Sequence, residues 1–337
     1  MRGAIIYGQG DVRVEERPDP VIEEQTDAVI RTVAACVCGS DLWRYRGLAT
    51  TAQPTPIGHE YVGIVEQVGS EVTTVKPGDF VVGGFLYSDN TCPVCRKGMQ
   101  ANCQHGGGFD GCQAEKIRIP QADGTLLATP GQPDDDLIPS LLSLSDVMCT
   151  GWHAAVSAGV RPGMSVVVVG DGAVGLSGVL VAAQLGAGTI IAMSRHAARQ
   201  QVAVAFGATH IIEERGDEGV AHVRELTEGI GADAVLECVG TEAARLQAVA
   251  SARPGAMIGI VGVPHGDLPI DQMFWDNKGV HGGVAPVRAY LPHLLELVLT
   301  RQIDPGKVFD LTLPLSETAE AYRAMDERRA IKVLLRP

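Results

Sequence analysis

The sequence predicts two architectures in one chain, an antiparallel β domain followed by an α/β domain with a doubly wound parallel sheet. Residues 1 to about 150 are rich in short β-type runs, at 28–33, 62–68 and 79–82, punctuated by Gly and Pro. From about Gly151 onward, strand-like and helix-like segments alternate. Within that half, SVVVVGDGAVGLSGVLVAAQLGAGTIIAMSR from Ser165 to Arg195 reads as strand, tight glycine turn, helix and second strand.

The run 166–169 is β-branched without alternation, as suits a parallel strand covered on both faces by helices. Gly170, Gly172 and Gly175 follow at G-x-G-x-x-G spacing. One serves a turn that a Cβ would block, one gives pyrophosphate access to the backbone amides, and one allows close packing of helix on strand. The helix predicted over 173–185 and closed by Gly186 presents its positive end, starting at Ala173 and Val174, to the phosphates. At the end of the second strand an acidic residue would accept the ribose hydroxyls of NAD, but the chain reads Ala192, Met193, Ser194, Arg195. A hydroxyl and a guanidinium suit a 2′-phosphate, so NADP(H) is expected over NAD(H). The competing use of Ser194 is as N-cap of a helix starting near His196. Beyond it are predicted a helix over 199–206, strands at 210–212, 234–238 and 256–261, and a helix over 242–252.

Length and charge narrow the class. At 337 residues the chain is long enough for two cores. Its 27 Lys and Arg face 40 Asp and Glu, a net charge of −13, which opposes nucleic acid and anionic membrane as partners. The first residues, MRGAIIYGQGDVRVEE, lack the apolar stretch of a secretion signal, and no apolar run reaches bilayer length, so a cytoplasmic protein is expected. There, eight cysteines point to metal ligation or buried thiols rather than disulfides.

In the β domain AACVCGSDLWRYRG places Cys38, Ser40 and Asp41 close together, and GHEYVGIVEQVG brings His59 and Glu60 about twenty residues later. Thiolate plus imidazole is zinc-type ligation, although singly the two also read as a buried thiol and a core histidine. These stretches, with the cysteine-rich lobe at 89–103 and the turn at 170–175, closely resemble the zinc-containing alcohol dehydrogenases of the medium-chain dehydrogenase/reductase superfamily over nearly the whole chain. The resemblance implies a GroES-like β-barrel catalytic domain at 1–150, a Rossmann cofactor domain at 151–286, and a return segment at 287–337 that completes the first, with reaction in the cleft between domains.

By that resemblance Cys38 and His59 are the first two ligands of a catalytic zinc. Asp146 and Cys149 compete for the third place, and alignment on Thr150-Gly151 favours Asp146, as in the bacterial secondary-alcohol branch. Glu60 is either an exchangeable fourth ligand or a carboxylate behind the ligands, and Asp41 orients the His59 ring. Ser40 starts a proton relay, but Trp43 stands where the family often has histidine, so the proton leaves through cofactor ribose or water. Asp89, Cys92, Cys95 and Cys103 correspond to a structural zinc site whose first ligand is a carboxylate, with His105 and Cys112 as nearby substitutes. Val261, Gly262 and Val263 are implied to meet the nicotinamide, Lys332 the pyrophosphate, and Met273 and Trp275 a subunit interface of a homodimer or homotetramer. Trp43, Phe85, Met148 and Trp152 are candidates for lining a pocket, and Cys238 reads as a core residue of its strand.

The expected function is a zinc-dependent, NADP(H)-linked interconversion of a small-molecule alcohol, of the secondary type, with a ketone or aldehyde. The competing readings are a zinc-free quinone or enoyl reductase of the same fold, which would lack the set Cys38, His59 and Asp146, and a non-catalytic NADP(H)-binding protein.

Overall fold

The valine run Ser165–Val169 is the central strand of a six-stranded, all-parallel sheet, with Val166, Val167 and Val168 wholly buried. In spatial order the strands are His210–Ile212, Thr189–Met193, Ser165–Val169, Ala232–Glu237, Ala252–Ile260 and Gly279–Gly282. This is the doubly wound order 3-2-1-4-5-6, in which ligands bind outside the carboxyl ends of the central strands. Helices Ala173–Gln184, Ala197–Ala205, Gly216–Glu225 and Glu242–Ser251 make the crossovers. The helix Gly216–Glu225 was not expected, because its polar sequence shows an apolar face only at Val220 and Val223. Strand Ala252–Ile260 begins earlier than predicted, through an Arg-Pro-Gly stretch that reads as a turn; a register shift between Ala232 and Ala234 accommodates it.

The computed structural model describes residues 1–49 and 54–337 and divides into two units, Met1–Cys149 with Pro286–Pro337, and Thr150–Ala285. In the first unit the long strand Ala28–Cys36 pairs antiparallel with Tyr61–Val68, Lys116–Ile119 and Val333–Arg336. Phe80–Gly83 and Leu126–Ala128 extend the sheet on one side and Leu311–Pro314 on the other. The C-terminal segment thus supplies one interior strand and one edge strand of the β domain, Leu334 lying opposite Cys36. Two buried clusters, one around Ile30, Tyr61 and Val81 and one around Ile6, Tyr322 and Leu335, form the core. No helix among the described residues is long and apolar enough to cross a membrane.

Candidate metal and cofactor sites

Antiparallel register brings the first cluster together. Ala35 lies opposite Tyr61, so beyond the ladder the loop at Cys38 draws level with Gly58 and His59. Gly58 has φ +96°, and a Cβ on it would sit 2.5 Å from the Gln113 side chain, so this turn requires glycine. Asp146 enters just ahead of the helix Val147–Ser157. Cys38 Sγ then lies 3.3 Å from Asp146 Oδ2, and His59 Nε2 lies 3.5 Å from the same oxygen. With Glu60, the four potential ligand atoms fall within 4.8 Å of one another. Zinc–ligand bonds of about 2.0–2.3 Å put tetrahedral donors about 3.3–3.8 Å apart, so the set fits that ion. Burial, then the Asp146 and Glu60 carboxylates, push the Cys38 thiol up to about 11, a crowding of anionic donors that a dication offsets. Cys149 is wholly buried and donates to the Leu144 carbonyl at 3.1 Å, turned away from the cluster.

A buried frame holds these donors. Asp41 Oδ2 accepts from the Cys38 N–H at 3.0 Å and from the Gln113 amide at 3.2 Å, and Oδ1 lies 3.4 Å from His59 Nδ1. Tyr322, from the return segment, donates to Gln113 Oε1 at 3.2 Å. Burial works against a charge on His59, but Asp41 and the neighbouring acceptors outweigh it and raise its pKa well above the usual histidine value. With Nδ1 aimed at Asp41, Nε2 is left to face a metal. Ser40 Oγ is exposed and 3.4 Å from His59 Nε2. Trp43 is half-buried, and the Phe85 ring lies 6.1 Å from the His59 ring, edge to face. Met148 is wholly buried and belongs to the core rather than to a pocket wall.

Lys332 departs from expectation. Its Nζ donates to Glu60 Oε1 at 2.7 Å and to the Val37 carbonyl at 3.2 Å, with the lysine side chain only 1% exposed. An ammonium so enclosed has no surface to offer a pyrophosphate. Burial works against its charge, but the Cys36 sulfur and the Glu60 carboxylate beside it outweigh burial and hold its pKa well above the usual lysine value. Glu60 Oε2 has no hydrogen-bond partner among the described residues.

The second cluster is Asp89, Cys92, Cys95 and Cys103, again with ligand atoms within 4.8 Å of one another. Asp89 Oδ1 accepts from the N–H groups of Thr91 and Cys92 at 2.9 and 3.0 Å and lies 3.3 Å from Cys103 Sγ. Its Oδ2 meets His105 Nδ1 at 2.6 Å. Asp89 therefore points inward, with His105 behind it. Cys112 is not a substitute ligand, because it is wholly buried in the β core beside Tyr61.

At the nucleotide end, Gly170 has φ +116°, a Cβ on Gly175 would strike the Gly170 carbonyl, and Gly172 has open space where a Cβ would project. That opening, at the N-terminus of the helix Ala173–Gln184, leaves the first-turn amides from Ala173 and Val174 accessible to a diphosphate, so the turn fits a dinucleotide. The Val261 and Gly262 N–H groups donate to the Glu237 carbonyl at 3.0 and 3.2 Å, whereas Val263 is 53% exposed. Cys238 lies just past its strand and is partly exposed rather than core. Ser194 is buried and donates to Asp171 Oδ2 at 2.8 Å. Arg195 is exposed, with Nε on the Glu213 carbonyl at 3.0 Å. Arg199 reaches Asp171 Oδ1 at 3.2 Å. The helix after Ser194 is capped at His196 without a side-chain bond, so Ser194 is not its N-cap. Sequence reasoning missed Asp171 and Arg199, whose proximity follows only from the parallel register Val169↔Met193.

A β domain carrying a thiol–imidazole–carboxylate cluster, in one chain with a doubly wound dinucleotide domain, defines the class of metal-assisted nicotinamide oxidoreductases. Comparison with known proteins narrows this. Family models for the alcohol dehydrogenase GroES-like domain and for zinc-binding dehydrogenase match residues 24–130 and 173–296. Zinc-type alcohol dehydrogenase B of Aspergillus flavus is 33% identical over 350 residues, covering 100% of this chain and 81% of that protein. The NADP-dependent isopropanol dehydrogenase of Clostridium beijerinckii is 32% identical over 329 residues, 91% of each. Among solved structures, alcohol dehydrogenase TADH from Thermus sp. ATN1 matches with a TM-score of 0.91 at 33% identity, over 100% of this chain and 99% of that one. The chain belongs to the zinc-containing alcohol dehydrogenase family of the medium-chain dehydrogenase/reductase superfamily, with its GroES-like and Rossmann domains.

Proposed function

We propose that this chain is a zinc-dependent, NADP(H)-linked dehydrogenase that interconverts a small secondary alcohol and its ketone, acting in the cytoplasm as a homodimer or homotetramer. The observation that carries the reading is the convergence of Cys38 Sγ, His59 Nε2 and Asp146 Oδ2 at 3.3–3.5 Å. These three residues would hold a zinc ion, which would supply a Lewis acid for the substrate oxygen, and a bound nicotinamide would supply the hydride chemistry. One thiolate, one neutral imidazole and one carboxylate carry the two negative charges that balance the dication. Asp41 holds the His59 ring by Nδ1. Ser40 Oγ, exposed beside His59, takes the proton of the substrate hydroxyl and hands it to water or the cofactor ribose, since Trp43 offers no base. Asp89, Cys92, Cys95 and Cys103 hold a second, structural zinc.

Arg195, with an exposed guanidinium, supports NADP(H), as does the likeness to a relative named for NADP and isopropanol. Phe274 and Trp275, 71% and 79% exposed on the short helix Ile270–Trp275, support an oligomer. The test is oxidation of NADPH, with NADH in parallel, across ketones, aldehydes and activated alkenes, each repeated after treatment with a strong zinc chelator. Ketone reduction with NADPH that the chelator abolishes is the expected result. Chelator-resistant alkene reduction would overturn it in favour of a zinc-free reductase.

A further inference from the structure

An acidic residue that reads the adenosine ribose ordinarily stands at the end of the second strand of the dinucleotide fold, where this chain has Ser194 and Arg195. The structure nevertheless puts a carboxylate there, by another route. Strands Ser165–Val169 and Thr189–Met193 run parallel with Val169 opposite Met193, so the residues that follow them, Gly170-Asp171 and Ser194-Arg195, emerge side by side. Asp171 Oδ2 takes the Ser194 hydroxyl at 2.8 Å, and Oδ1 takes Arg199 at 3.2 Å. The same arginine also reaches the Asp171 carbonyl, at 3.3 Å. Ser194, wholly buried, and Arg199 are therefore both committed to Asp171. Arg195, exposed and, among the described residues, tied only through Nε to the Glu213 carbonyl, is not.

We propose that Asp171 is the specificity-determining residue that sets the balance between NADP(H) and NAD(H). This deepens the dinucleotide reading above and rests on it. A ribose 2′-hydroxyl is a donor that the carboxylate accepts. A 2′-phosphate, by contrast, meets like charge and must take Arg199 away from the carboxylate. Asp171 thus favours NAD(H) and works against the pull of Arg195 on NADP(H). Neutralising it as Asn keeps an acceptor oxygen for Ser194, removes the repulsion and frees Arg199.

The test is direct binding of NADPH and NADH, without substrate, by fluorescence titration of the wild type and of Asp171→Asn, Asp171→Ser and Arg195→Ala, each checked for folding by thermal melting. Asp171→Asn should shift the ratio of Kd values toward NADPH by about tenfold or more, the scale of one charged hydrogen bond, with NADH binding weakened. Asp171→Ser, which keeps a hydroxyl beside Ser194, should shift it the same way and serves if the Asn variant does not fold. Arg195→Ala should weaken NADPH alone. A ratio within twofold of wild type in the folded Asp171 variants would overturn the proposal. If the wild type binds NADPH no tighter than NADH and Arg195→Ala changes nothing, the NADP(H) reading fails. A shift in the Asp171 variants would still uphold the role of Asp171.

Discussion

On the proposed reading His59 is a zinc ligand, and Asp41, 1% exposed and 3.4 Å from Nδ1, is the group that would hold its ring. Asp41→Asn keeps the shape and removes the charge. Zinc affinity at the Cys38 site should fall by about 10–100-fold, the usual cost of losing such a partner, as read by competition with a chromogenic chelator; unchanged affinity would remove Asp41 from the site. The other metal cluster makes a pH prediction. Burial raises the Asp89 pKa, but His105 and the Cys92 and Thr91 N–H groups outweigh it and hold the carboxylate well below its ordinary 3.8. A depressed carboxylate adds stability that is complete above its unfolded pKa and is lost as pH falls through the folded one, so Asp89 keeps its charge under mild acid. The thiols give way first. Cys92 is drawn down to about 7, chiefly by the Gln104 N–H, while burial and its neighbours raise Cys95. Because zinc must displace thiol protons, the lobe should retain its metal at pH 8 and release it progressively below about pH 6, followed with a zinc indicator. Retention that is flat from pH 8 to pH 5 would contradict thiolate ligation.

The return strand Val333–Arg336 does more than close the β domain, because its pairing with Ala28–Cys36 sets Lys332 against Glu60 inside the core. Removing one partner of a buried ion pair strands the other. Lys332→Met should therefore destabilise the protein by about 3–5 kcal/mol in denaturant unfolding, and Lys332→Met with Glu60→Leu should recover much of that loss. Equal loss in the single and double variants would mean that packing, not charge, is at stake. This pair was illegible in the sequence, since 272 residues separate its members and only sheet register joins them. The strand, glycine turn and helix from Ser165 to Gln184 were legible because every signal is local: a β-branched run, three spaced glycines and a helix that starts at the turn. Cys38, His59 and Asp146 were nameable from motif resemblance. Their approach to 3.3–3.5 Å depends on the Ala35–Tyr61 register and on the lead into the helix Val147–Ser157. Asp171 was missed because the second position of G-x-G carries no local constraint, and the strand from Ala252 was shortened because Arg-Pro-Gly imitates a turn.

At the scale of the whole chain, the candidate metal cluster Cys38, His59 and Asp146 and the candidate dinucleotide turn belong to different units. A change at a metal ligand should leave the cofactor domain intact. The net charge of −13 is no obstacle to an anionic cofactor, because the helix N-terminus at Gly172 and the guanidinium of Arg195 supply local positive potential. The decisive measurement is zinc per chain by elemental analysis, paired with ketone reduction and NADPH affinity, in the wild type and in Cys38→Ser. The prediction is two zinc ions falling to one, turnover reduced by about a thousandfold or more, equivalent to at least about 4 kcal/mol of barrier, and NADPH affinity within twofold of wild type. Turnover that survives Cys38→Ser with the zinc count unchanged would contradict a zinc-dependent dehydrogenase.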